Sequence, residues 1–137
     1  MTSREMALSH LRQARLILTE AEHHHRDGAF NLVVRRCQES VELALKAVLR
    51  SAGLEVPHVH DVAFLLAEHP DRLPSGLTEH IERLVSVSRH LRQEREISFY
   101  GNEELGAPPE RLYSADDAEQ ALVDALFVID LAGTYVR

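Results

Sequence analysis

One cysteine, Cys37, is all the chain has, so an internal disulfide is excluded. No run reaches the ~18 apolar residues that a membrane span requires. The opening stretch MTSREMALSHLRQ holds no apolar core of signal-peptide length. A cytoplasmic location without membrane contact is the expectation. Basic residues are in deficit: Lys and Arg total 15 against 22 Asp and Glu, giving a net charge of −7. That balance argues against broad binding to nucleic acid or an anionic membrane and leaves room for a local basic patch. Period-two alternation bounded by turn signals is missing, so no sheet is expected. Repeats, low-complexity tracts, linkers, phosphate-cradling glycine loops, nucleophile triads and paired zinc-ligand motifs are also absent.

What remains is helical periodicity. A chain of 137 residues is one domain over 1–137 and buries about two-thirds of its unfolded surface. Thr2 with Glu5 forms a capping box, and Ala7, Leu11, Ala14, Leu18 and Ala21 give the first helix a core face that ends near Gly28. The second helix, Phe30 to Ser51, is apolar on two faces. Phe30, Val34, Cys37, Val41, Ala44, Val48 and Ala52 follow the helical period, widened by Leu45 and Leu49. Cys37 falls on that stripe and reads as a small buried hydrophobe. Asp61 caps a short third helix stopped by Pro70 and Pro74. A fourth, from about Ser75 to Ile97, turns Leu77, Ile81, Leu84, Ser88 and Leu91 inward. Ser114 with Asp117 opens the last helix through a second capping box. The pattern predicts an all-α fold: an antiparallel four-helix bundle with an additional short helix. The many alanines on the first and last helices predict that those two pack closely.

Chemistry-bearing residues fall in four places. Gln38, Glu42 and Lys46 run at four-residue spacing along one edge of the second helix, where Glu42 and Lys46 are placed to pair. That line reads as a packing feature. His23, His24 and His25 are consecutive on a helix, diverge by about 100° per residue, and suit the helix C-terminus better than a metal. His58 and His60 with Asp61 have the residue types of a metal site. No second ligand cluster accompanies them, so the preferred reading has His60 and Asp61 starting the short helix, with neither metal nor cofactor. The most distinctive stretch is Arg89-His90-Leu91-Arg92-Gln93-Glu94-Arg95-Glu96, followed by the irregular segment 98–113 with Phe99, Tyr100 and Tyr113. Arginines three residues apart form a drifting row. Guanidinium forks bind phosphate oxygens and aromatic faces stack on bases. Arg89, Arg92, Arg95, Phe99, Tyr100 and Tyr113 are therefore the ligand-binding candidates.

The ordered set of features resembles the HEPN domain, a helical family of prokaryotes and eukaryotes. The matching pieces are the alanine–leucine first helix, the FN…CQxxVExALKAVL second helix from Phe30 to Leu49, the His60-Asp61 pair after Gly53, and the YSxxDA start from Tyr113 to Ala118. The resemblance implies a helical bundle, commonly a homodimer, often encoded beside a minimal nucleotidyltransferase in toxin–antitoxin or related two-component systems. Other members are metal-independent ribonucleases carrying an arginine, four to six intervening residues and then a histidine. Here no histidine follows position 91. Arg95 and Tyr100 have the right separation, but tyrosine, with a pKa of about 10, is a poor base at neutral pH. Arg83 and His90 match only inside the fourth helix. The resemblance therefore implies a non-catalytic dimeric module binding a nucleotidyltransferase-like partner and/or a nucleotide or RNA phosphate. The alternatives are a ribonuclease toxin using Arg95 with an unconventional partner, Tyr100 or His90, and a purely structural oligomer.

Overall fold

A computed structural model describes residues 2–137, and its regular elements are all helical. Helix α1 (Ser3–Arg26) starts at the expected box: Thr2 Oγ1 accepts the Glu5 N–H at 3.1 Å, and Glu5 Oε2 accepts the Thr2 N–H at 2.7 Å. The chain reverses at Gly28, φ 73°, and returns as α2 (Phe30–Ser51). The last helix, α7 (Ala115–Tyr135), begins at the second box, with Ser114 Oγ accepting from Asp117 N–H and Asp117 Oδ2 from Ser114 N–H.

Helix α2 lies at the centre. Its Val33, Cys37, Ala44, Ala47 and Leu49 are fully shielded from solvent. A helix apolar nearly all round needs cover on several sides. Both α1 and α7 therefore pack on α2 most extensively, and they also pack on each other, as the alanines on their inner faces predict. The backbone of α1 also comes close to α2, near enough for Ser40 Oγ to donate to the Ala14 carbonyl at 2.7 Å.

The expected fourth helix is three pieces: α4 (Ser75–Thr78), α5 (Ile81–Glu94) and α6 (Ile97–Tyr100). The core positions Leu77, Leu84, Ser88 and Leu91 are buried as their spacing predicts. The first break comes where the His80 N–H turns back to the Leu77 carbonyl at 3.0 Å and the His80 ring meets Phe127 edge-on at 5.4 Å. At the second, the Arg95 carbonyl accepts from Arg35 Nη1 at 2.7 Å and Ser98 Oγ at 3.0 Å. Asn31 Nδ2 donates to the Ser98 carbonyl at 3.1 Å. Side chains of α2 thus answer the carbonyls that a continuous helix would have used.

Before these pieces lies α3 (Ala63–Glu68), held by the buried Val62, Ala63 and Leu66, with a 3-10 turn at Pro70–Arg72 after it. Asp61, expected as the cap of this helix, lies one residue too early: the N-cap position is Val62, with no side-chain cap bond, and Asp61 Oδ1, 3.4 Å from the Ala63 N–H, accepts the Ser88 hydroxyl at 2.7 Å. The segment read as irregular is closed and ordered: Asn102 and Ala107 exchange backbone bonds of 2.9 and 3.0 Å, and a 3-10 turn spans Pro109–Arg111. Gly101 makes the turn possible, with φ 73° and no room for a Cβ beside the Ala107 carbonyl. Among the described residues no helix is long and apolar enough to cross a membrane.

Candidate functional site

The polar edge of α2 is where distant segments meet. Four-residue spacing aligns Gln38, Glu42 and Lys46 on one side of the helix, and Glu42 is the hub. Lys46 Nζ donates to its Oε2 at 3.0 Å, and Gln38 Nε2 to its Oε1 at 3.1 Å. From the loop before α3, His60 Nδ1 comes within 2.9 Å of the same Oε1. From the end of α5, Arg95 Nη1 lies 4.0 Å from it and donates to Gln38 Oε1. Gln38 is thereby pinned at both ends of its amide.

Electrostatics keep the hub charged. Burial works to raise the Glu42 pKa, but hydrogen bonds from Lys46, Gln38 and His60, with the charge of Lys46, outweigh it and hold the carboxyl below its ordinary value. An ionised carboxylate only accepts, so His60 carries its proton on Nδ1. The opposite ring nitrogen, Nε2, accepts when the ring is neutral and donates when it is protonated; only the protonated ring can bond a phosphate oxygen there.

The arginine row splays apart. Arg95 is tied to α2, its side chain only 18% exposed. Arg92 pairs with Glu96 at 2.8 Å on the outside and lines an open cavity with His58 and His60. Arg89 is exposed and faces a separate depression with Ile81 and Val85. The aromatics separate as well. Phe99 packs under Arg35, whose guanidinium carbon is 4.1 Å from the ring centroid. Tyr100 meets Phe99 edge-on at 6.1 Å and is 65% exposed. Tyr113 donates to Glu94 Oε2 at 2.6 Å, and burial with the Glu94 bond raises its pKa. Its cavity, about 390 Å³ between α5 and α7, also holds His90, Asn102 and Asp117.

Of the six candidates, then, Arg92 and Arg95 come to one junction, while Arg89 and Tyr113 lie elsewhere. His90 makes no bond to Arg95 among the described residues; the histidine that reaches the shared carboxylate is His60. Periodicity gives no access to that residue, because it arrives from a loop. The available signal was the polar line itself: a glutamine and an acid on an apolar, enclosed helix must be satisfied by something. Among the described residues no three His, Cys, Asp or Glu side chains gather as a metal-ligand set.

No match was found among curated proteins or solved structures. A family model described as HEPN domain matches residues 7–134. That span takes in most of α1, the Glu42 hub, the His60 loop, Arg95 and almost all of α7, so the chain belongs to the HEPN domain family.

Proposed function

We propose that this HEPN protein is a binding module that takes a phosphate of a nucleotide or RNA at the junction of α2, the His60 loop and the end of α5. The observation that carries the reading is the convergence of His60, Lys46 and Arg95 on the partly buried Glu42 carboxylate. A charged hub on the core helix fixes those donors before any ligand arrives, which lowers the cost of binding. Arg92 supplies the adaptable fork. Its pair with Glu96 is exposed and contributes about 1 kcal/mol at most, so a phosphate displaces it readily. The family supports action as a homodimer beside a minimal nucleotidyltransferase, in a two-component system of the toxin–antitoxin kind.

The test is a melting series with mononucleotides and short single-stranded RNA at low salt. A ligand that binds only the folded state raises the melting temperature, and phosphate recognition weakens as salt is added. Arg92→Ala and Arg95→Ala should remove the shift. A folded wild-type protein that none of these ligands stabilises overturns the reading, as does a chain that only self-associates. Co-purification with the protein of an adjacent nucleotidyltransferase gene tests the partner separately.

A ribonuclease reading has one observation in its favour. His60 is held at Nδ1 by a carboxylate that Arg95 also approaches, an arrangement suited to proton transfer by Nε2 beside a cation that stabilises developing charge. It predicts metal-free RNA cleavage lost in both His60→Asn and Arg95→Ala. Intact RNA at high protein concentration removes it.

A further inference from the structure

We propose that Phe64 is a stacking platform for a nucleobase, so that the ligand is held as a flat ring on Phe64 joined to a phosphate on Arg92 and His60. The inference rests on the phosphate reading above and adds the second half of the ligand. Helix α3 is anchored by Val62, Ala63 and Leu66, all fully buried. Phe64 falls on its other side and is 42% exposed. One exposed phenylalanine is ordinary; its surroundings are not. The ring forms a wall of an open cavity of about 420 Å³, together with the apolar Pro57 and Val59 and the polar His58, His60, Asp61 and Arg92; one oxygen of the Asp61 carboxylate is occupied by the Ser88 hydroxyl at 2.7 Å. That volume lies within the range of about 300–1,000 Å³ usual for small-molecule sites. Phe64 and Pro57 also bound a neighbouring cavity of about 450 Å³, so the ring stands between two depressions and is accessible from both.

The chemistry of the walls selects the ligand class. Of the cavity's walls, inorganic phosphate engages Arg92 and His60 and leaves the Phe64 ring unused. A ligand without an anion uses only Phe64, Pro57 and Val59. A nucleotide uses both, because every base has a π-face that stacks on an aromatic ring without regard to sequence, while the guanidinium fork takes the phosphate oxygens. His60 links this cavity to the hub: Nδ1 is bound to Glu42 and the ring lines the cavity.

The experiment is a titration of wild type, Phe64→Ala, Phe64→Tyr and Arg92→Ala with four probes: inorganic phosphate, adenosine, AMP and a short oligoadenylate. AMP should bind wild type about tenfold more tightly than inorganic phosphate does, the scale of one stacked base. Phe64→Ala should erase that advantage and leave phosphate affinity unchanged, and Phe64→Tyr should keep it. Arg92→Ala should weaken AMP and phosphate together. Loss of the advantage with equal affinity for AMP and oligoadenylate supports a free nucleotide; a further gain for oligoadenylate supports RNA. Equal binding of phosphate and AMP, indifferent to Phe64→Ala, overturns the platform and leaves the phosphate site standing. Failure of every probe overturns the phosphate reading and this one with it. Self-association lost in Phe64→Ala without any base dependence also overturns the platform, in favour of a protein contact. Phe64 lies outside the buried core, and an unchanged melting temperature in Phe64→Ala confirms that only the surface was altered.

Discussion

Replacing Glu42 by glutamine preserves side-chain volume and removes one charge. Lys46 and Arg95, whose side chains are 14% and 18% exposed, then lose their counter-ion. The new amide also sets its N–H₂ against donors. Removing one partner of a fully buried pair costs about 3–5 kcal/mol. Some water reaches this hub and Arg95 retains Gln38, which places the loss at about 3 kcal/mol. For 137 residues at roughly 2.1 cal/mol/K per residue, unfolding entropy is about 0.29 kcal/mol/K, so Glu42→Gln should melt about 10 °C lower. The sign of the pH dependence is fixed. The folded pKa of Glu42 is depressed, so the stability it contributes is complete above the ordinary carboxylate value of about 4.3 and drains away as pH falls through the folded one. The gap between wild type and Glu42→Gln should therefore be constant at neutral pH and narrow as the pH falls below the ordinary carboxylate value of about 4.3. Thermal melts followed by circular dichroism read both quantities. A neutral-pH difference under about 3 °C, or a gap unchanged in acid, refutes the hub as described.

Gly101→Ala should cost about 1–3 kcal/mol and loosen the 102–107 turn, because the backbone lies in a region essentially restricted to glycine and a Cβ meets the Ala107 carbonyl; a melt at wild-type temperature contradicts this. Burial, with Asp124 and Glu22 adding to it, pushes the Cys37 thiol up to about 12, so a thiol reagent at neutral pH should label it only as the chain unfolds, and rapid labelling of native protein counts against it. Leu49→Ala, at a fully buried site on α2, should cost about 2–5 kcal/mol in urea denaturation.

The elements readable in the sequence were those whose signals are local. Thr2 with Glu5, Ser114 with Asp117, and the apolar stripe from Phe30 all mark helices where the structure has them. The fourth helix misled because periodicity from Leu77 to Leu91 is satisfied by α4 and α5 alike, while what separates α5 from α6 is a set of bonds from Asn31 and Arg35. Those bonds have no local trace. The site divides the same way: the pairing of Glu42 with Lys46 follows from spacing, whereas His60 and Arg95 reach Glu42 through tertiary structure. Gln38, Glu42 and Lys46 look like a packing feature while α2 is considered alone.

The bonds that end α5 also impose an order on folding. Asn31 reaches Ser98 across 67 residues of sequence, and Arg35 reaches Arg95 across 60, whereas α1 and α2 meet through a short turn. Closing a long loop carries a larger entropic cost than closing a short one, so local hairpins form ahead of distant contacts. During synthesis the α1–α2 hairpin can assemble while α5 is still unmade. The Glu42 junction stays incomplete until Arg95 has left the ribosome and docked, so a nascent chain carries no finished pocket and its ligand has nothing to hold until most of the polypeptide exists.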